Sequence, residues 1–158
     1  MDFEIRYAAL SDLPQVNILR KQVNDLHAHG RPDIFRNDFC DAMQKRLYDH
    51  FEAEDSDVIV AVQGETVCGF AMVEYICRPE SPYCHPRRFY QVAEFGVDAA
   101  FRRQGIATAL IVFCREEARK KGFRRMELDM WEFNEGAPKF YESVGFHTYR
   151  RYMEQDTE

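Results

Sequence analysis

The stretch from Phe89 to Met130 constrains the fold of this chain more than any other. A run that reads as a strand ends at Val97. The turn Asp98-Ala99-Ala100-Phe101-Arg102-Arg103-Gln104-Gly105 follows. Ala107, Leu110, Ile111, Cys114 and Ala118 then recur at helical spacing, with Gly122 as the stop. Next, Met126, Leu128 and Met130 alternate with Glu127, Asp129 and Trp131. Strand, glycine-bearing turn, long helix and strand predict a β-α-β crossover, a unit that joins parallel strands of one sheet and lays the helix on its face.

The preceding chain reads differently. Phe3, Ile5 and Tyr7 alternate with Asp2, Glu4 and Arg6, as in a strand. Ser11 is the expected N-cap of a helix with Pro14 in its first turn and Val16, Leu19, Val23 and Leu26 as its buried stripe, ending near Gly30. After the Arg31-Pro32-Asp33 break a second helix is expected from Asn37 to Phe51. Val58, Val60 and Val62 mark a strand, Gln63-Gly64-Glu65 a tight turn, and Val67 to Ile76 the hairpin partner. Three prolines between Arg78 and Pro86 require a loop. Late in the chain, Ala137, Phe140, Tyr141 and Val144 define a short helix stopped by Gly145, and Phe146 to Met153 is expected as a last strand. The order β-α-α-β-β-β-α-β-α-β predicts an α/β (α+β) fold with a mixed, mostly antiparallel central sheet and helices on both faces.

A chain of 158 residues predicts one domain, 1–158, able to bury a core without a metal or disulfide staple. No apolar run approaches the ~20 residues of a membrane span, and the first residues carry no signal-peptide core, so a cytoplasmic location is expected. Lys and Arg number 21 against 27 Asp and Glu, a net charge of −6, which argues against a nucleic-acid partner. The five cysteines, Cys40, Cys68, Cys77, Cys84 and Cys114, are scattered as reduced thiols would be. Cys77, Cys84 and His85 lack a fourth ligand at zinc-like spacing, so no metal is expected.

The turn from Phe101 to Thr108 carries the chemistry. Helix-start N–H groups are unpaired, the helix dipole adds positive charge, and Gly105 lets backbone approach a ligand closely. With Arg102 and Arg103 this describes a pyrophosphate cradle, or else an ordinary basic strand-to-helix turn. It is neither a Walker loop, lacking Gly-Lys-Ser/Thr, nor a three-glycine dinucleotide fingerprint.

Val97 to Ala107 resembles the acyl-CoA signature R/Q-x-x-G-x-G/A of the GNAT superfamily of N-acetyltransferases. Asn134-Glu135-Gly136-Ala137-Pro138-Lys139-Phe140-Tyr141 with Gly145-Phe146 resembles that family's second motif, N-x-x-A-x-x-F-Y followed by G-F. Ala99 stands where many members have proline, and Ala107 where many have a second glycine. The resemblance implies the acyl-CoA N-acyltransferase fold and acetyl-CoA as co-substrate. Its pyrophosphate would lie on Arg102, Arg103, Gln104, Gly105, Ile106, Ala107 and Thr108. Pantetheine would run along a bulged strand at Phe95 and Val97, against Asn134, Ala137 and Phe140, with a backbone N–H near Val97 polarising the thioester.

Amide formation also needs an acid for the leaving thiolate and a base for the amine. Tyr141, a phenol of pKa near 10, is the candidate acid, with core packing as the other reading. Glu94, the lone carboxylate of its strand, is the candidate base, directly or through water, with a structural carboxylate as the other reading. His27, His29, Arg31, Asp129 and Trp131 are candidate acceptor contacts. The plain readings are surface histidines, a turn aspartate and a packed tryptophan. The expectation is direct transfer, in a ternary complex, to a primary amine of a small molecule, with a homodimer possible. The alternatives are a protein N-terminal or lysine acetyltransferase, a non-catalytic acyl-CoA sensor that needs neither Tyr141 nor Glu94, and a nucleotide-binding domain.

Overall fold

The structure is a computed structural model and describes residues 2–158. Five strands form one sheet in the order β1-β2-β3-β4-β5: β1 (Glu4–Tyr7), β2 (Ser56–Gln63), β3 (Thr66–Arg78), β4 (Arg87–Val97) and β5 (Met126–Glu127). The first four are antiparallel and β4 to β5 is parallel, so the sheet is mixed as expected. Four helices accompany it: α1 (Leu13–Gly30), α2 (Asp41–Glu52), α3 (Ile106–Lys120) and α4 (Gly136–Ser143).

Strand β2 is apolar on both faces because both faces are covered. Val58, Val60 and Val62 join Phe70 and Met72 beneath Leu13, Val16 and Leu19 of α1 and Leu47 of α2. Ile59 and Ala61 join Ala71, Val73, Tyr90 and Val92 beneath Ile106, Leu110, Cys114 and Ala118 of α3. Each fully buried aliphatic side chain contributes about 1.5–3 kcal/mol through removal from water. These two layers hold the sheet as a rigid platform.

Several boundaries differ from the sequence reading. Ser11 does not cap α1; it lies in a 3-10 turn, Leu10–Asp12, and α1 starts at Leu13. The charged Asp12 performs the tie instead, accepting from the Ala9 N–H at 2.7 Å and from Arg6 at 2.6 Å. Leu26 is 54% exposed, because α1 has run past the sheet edge by its last turn. Helix α2 begins at Asp41 rather than Asn37, after a kink at Phe39. Strand β5 stops at Glu127 instead of reaching Trp131, and the expected strand from Phe146 to Met153 does not form. The two failures have one cause. Strand β4 turns away from β5 after two residue pairs, so β5 loses its ladder and offers the tail almost no edge to pair with. Side chains anchor the tail instead: the Tyr149 hydroxyl donates to Glu127 at 2.6 Å, and Arg31 binds Glu154 at 2.7 Å.

Candidate active site

The site begins at that divergence. On β4, Glu94 pairs with Met72 and Val92 with Val73, leaving Ala93 as an extra residue in a β-bulge. Upstream of the bulge, the Tyr90 N–H donates to Arg125 O at 2.9 Å, toward β5. Downstream, the Asp98 N–H donates to Cys68 O at 2.8 Å, toward β3. Strand N–H groups alternate in direction. Counting back from Asp98, those of Phe95 and Val97 therefore point away from β3, into the V-shaped gap where β5 no longer pairs. A bulge and an early strand end thus leave two backbone donors unclaimed by the sheet, beside an opening.

The wide end of the gap meets the N-terminus of α3. Val97, Phe101, Arg102, Arg103, Gly105, Ile106, Ala107, Thr108 and Phe140 line a cleft of about 230 Å³ there. Arg103 (φ 65°) and Gly105 (φ 81°) both adopt the left-handed backbone. For Arg103 this costs roughly 1–2 kcal/mol, and the tight turn it makes with Gly105 leads straight into the N-terminus of α3, a nest for an anion. The first backbone donor inside α3 is Ala109, to Gly105 O at 3.0 Å, so the N–H groups of Ile106, Ala107 and Thr108 are helix-start donors without helical partners. Arg102 and Arg103 are exposed at the rim, and Gln104 is fixed by accepting from Gln63 at 2.8 Å. The cradle residues converge, with a donor set suited to a pyrophosphate.

Helix α4 crosses beside the gap. Phe140 stacks on Phe95 with ring centres 6.2 Å apart, and Tyr141 lies 6.3 Å from Phe95. Burial, reinforced by the negative charge of Asp129, pushes the Tyr141 phenol up to about 12. Tyr141 therefore carries its proton throughout the neutral range and can donate it. Asn134 and Ala137 form the turn entering α4, with the Ala137 N–H donating to Asn134 O at 3.1 Å. The Asn134 side chain makes no hydrogen bond among the described residues and is exposed beside the gap.

Glu94 lies at the bulge, held from the opposite side by α1. Arg20 donates to both its oxygens, Nε to Oε1 at 2.9 Å and Nη2 to Oε2 at 3.0 Å. The Arg20 side chain, 3% exposed, also donates to Asn17 Oδ1 at 2.8 Å and Met43 O at 2.6 Å, and Arg46 approaches Glu94 at 4.0 Å. Arg20 was not among the sequence candidates, although the signal was present: it stands four residues after Val16, on the buried side of α1.

The remaining candidates divide. His27 and Trp131 meet in an aromatic cluster. His27 stacks on Phe35 at 4.9 Å, Phe35 meets Trp131 edge-on at 5.0 Å, and Phe133 closes the group against Trp131 at 6.1 Å and His27 at 5.9 Å. Gly30 permits this closure, since a β-carbon there would lie 2.3 Å from the Phe133 ring. Phe133 was also missed by the sequence reading; an aromatic residue two positions beyond Trp131 in a polar turn was the available sign. Asp129 is exposed, within electrostatic reach of both His27 and Tyr141. His29 is exposed, and Arg31 is engaged by Asp33 and Glu154 in a surface ion cluster, so neither joins the group at the gap. Among the described residues no set of three His, Cys, Asp or Glu side chains gathers as a metal site, and no helix is long and apolar enough to cross a membrane.

Comparison with known proteins identifies the family. The acetyltransferase (GNAT) family model matches residues 23–146, and the chain belongs to that family. A 60-residue stretch is 43% identical to an uncharacterised N-acetyltransferase of Methanocaldococcus jannaschii, covering 38% of this chain and only 26% of that relative. A tetramutant of the BH1408 protein from Bacillus halodurans superposes with a TM-score of 0.91 at 27% identity, over 97% of this chain and 99% of that one. Aminoglycoside N-acetyltransferase AAC(6')-Iy in complex with CoA shares the fold, with a TM-score of 0.76 at 22% identity over 99% and 95% of the two chains. That protein has also been solved with a bisubstrate analogue, CoA-S-monomethyl-acetylneamine.

Proposed function

We propose that this protein transfers the acetyl group of acetyl-CoA to a primary amine of a small molecule, directly and within a ternary complex. One observation carries the reading: the β4–β5 gap, with the Phe95 and Val97 N–H groups turned into it, opens onto the α3 anion nest at one end and Tyr141 alongside. The pyrophosphate of CoA would take the N–H groups of Gly105 to Thr108 and the Arg102 and Arg103 charges. Pantetheine would extend along β4 as a strand substitute, with the Asn134 amide able both to donate and to accept. The thioester carbonyl would then meet the Val97 N–H, a donor fixed by the sheet before charge develops on oxygen. Amine attack and collapse release the CoA thiolate, to which Tyr141 donates its proton. Both buried cysteines face the core, away from the gap, which supports direct transfer over an acetyl-cysteine intermediate. On the acceptor side, the aromatic cluster joins the α1–α2 region to the segment after β5 through His27, Phe35, Trp131 and Phe133, which favours a small amine over a protein lysine or N-terminus.

Calorimetric titration with acetyl-CoA, CoA, NAD and ATP tests the cofactor. Both CoA forms are expected to bind in the micromolar range and the other two not at all; absence of CoA binding overturns the reading. Tyr141→Phe is expected to lower the rate of thiol release by 10²-fold or more, following typical acid–base contributions of about 10²–10⁴, while acetyl-CoA affinity stays within threefold. Unchanged turnover would return Tyr141 to a packing role and leave the acid unassigned. Unchanged CoA binding with no turnover on any amine would favour the sensor.

A further inference from the structure

The acetylation reaction proposed above requires a proton acceptor, since an amine of pKa near 10 arrives as an ammonium. Glu94, the sequence candidate, has both oxygens engaged by the buried Arg20 guanidinium and faces Arg46 as well. Its position at the bulge supplies charge, but its hydrogen bonds are directed away from the gap, toward α1. The other histidines are elsewhere. His50 is buried with Nε2 against Val73 O at 2.9 Å, and His29, His85 and His147 are exposed.

His27 is placed differently. It sits in the last turn of α1, half-buried, with its ring plane fixed by Phe35 on one face and by the edge of Phe133. Two carboxylates act on it from separate elements, Glu94 on β4 and Asp129 after β5. His27 stands one turn after Val23, whose side chain lies directly over Gly96 of β4, and its cluster reaches through Phe35 to Trp131, two residues beyond Asp129. The charge of Asp129 bears on Tyr141 of α4 as well. The charged groups on neighbouring elements are accounted for: Arg20 and Arg46 neutralise Glu94, and Arg31 is spent on Asp33 and Glu154. Asp129 remains as the carboxylate without an ion-pair partner among the described residues whose charge bears on the histidine.

The geometry points to His27 as the catalytic base that takes the proton of the acceptor ammonium, with Asp129 drawing the cation to it. This rests on the acetylation reading. In the balanced step, R–NH₃⁺ gives one proton to the free ring nitrogen of His27. The amine lone pair then forms the C–N bond as the carbonyl π pair moves to oxygen, and collapse breaks the C–S bond. The thiolate receives a proton from Tyr141, and the second amine proton leaves with the product's formation to restore the phenol. Acetyl-CoA and R–NH₃⁺ become the acetamide, CoA thiol and one proton, carried out by His27. Burial holds the imidazole below its ordinary value despite both carboxylates, so it is already neutral at pH 7.

The test has two readouts. The first is the titration of the His27 ring followed by ¹H–¹⁵N NMR in the free protein. Its midpoint is expected below about 6.5 and lower still in Asp129→Asn. A midpoint unmoved by that change overturns the arrangement. The second is the pH profile of kcat/KM with neamine, spermidine and a benzylamine as acceptors. The acid limb is expected at the NMR midpoint in the wild type. It should be absent in His27→Gln and in His27→Phe, which keeps the ring stack but cannot accept a proton, with rates at pH 7 down about 10²-fold and acetyl-CoA affinity unchanged. An acid limb that persists in a folded His27→Phe, at a rate within threefold of wild type, overturns the assignment while leaving acetylation intact. If the wild type acetylates none of the three amines despite binding acetyl-CoA, the function and the base fall together.

Discussion

Arg20 shows how much one buried charge organises. Its guanidinium joins α1 to the bulge through Glu94, to its own helix through Asn17, and to the start of α2 through Met43 O, with Phe39 under its plane at 5.6 Å from the ring centre. Taking the guanidinium out of water is costly in itself, and removing one member of such a pair is costlier still, because it leaves the other charge uncompensated. Arg20→Met keeps the length of the side chain and strands the Glu94 carboxylate. Because Glu94 retains 28% side-chain exposure, the expected loss lies near the lower end of the range for broken buried pairs, about 3 kcal/mol, measured by urea unfolding at pH 7. A loss below roughly 0.5 kcal/mol would mean that the pair is solvated like a surface bridge. This residue also marks a limit of pattern reading. Val16, Leu19 and Val23 disclose an apolar stripe, but whether an arginine beside it is buried depends on an acceptor that arrives 74 positions later in the chain.

At the level of elements, the start of α1 depends on a tie between strand and helix. Asp12 accepts from the Ala9 N–H and from two Arg6 nitrogens, linking the end of β1 to the first turn. The Arg6 hydrogen bond holds the Asp12 carboxyl below its ordinary value against the opposing effect of burial. A carboxyl lowered in the folded state stabilises the protein above its unfolded value near 3.9, and that contribution is lost as pH falls through the lower folded value. Asp12→Ala is therefore expected to cost about 1 kcal/mol at pH 7 and to make unfolding less sensitive to acid between about pH 4 and pH 2, as read by denaturant midpoints across that range. An equal loss at pH 2 and pH 7 would show that the ion pair adds nothing to the cap. The sequence placed a helix start here and chose the wrong cap, since Ser11 and Asp12 are both good capping types and only the approach of Arg6 favours the second.

For the whole molecule, the site is a seam between parts that fold by different rules. The platform of β1 to β4 with α1, α2 and α3 is held by two buried layers, whereas α4 has no buried residue and meets β4 mainly through Phe95, Phe140 and Tyr141. A ligand that touches the α3 nest, β4 and α4 together binds only the assembled form. Acetyl-CoA at 100 times its Kd is accordingly expected to add about 2.7 kcal/mol to the unfolding free energy, seen as a raised Tm, while NAD at the same concentration leaves Tm unchanged. An equal rise with NAD would mean that the nest reads a pyrophosphate without its pantetheine. The order of elements, the valine-rich centre of the sheet, the glycine turn into α3 and the N-x-x-A-x-x-F-Y segment were legible in the sequence, because each depends on residues close together along the chain. The divergence of β4 from β5, the failure of the last strand, the capture of Glu94 by Arg20, and the meeting of His27 with Phe35, Trp131 and Phe133 were not. Those are long-range pairings, decided by which groups the twist and the bulge bring within a few ångströms of one another, and no periodicity records that distance.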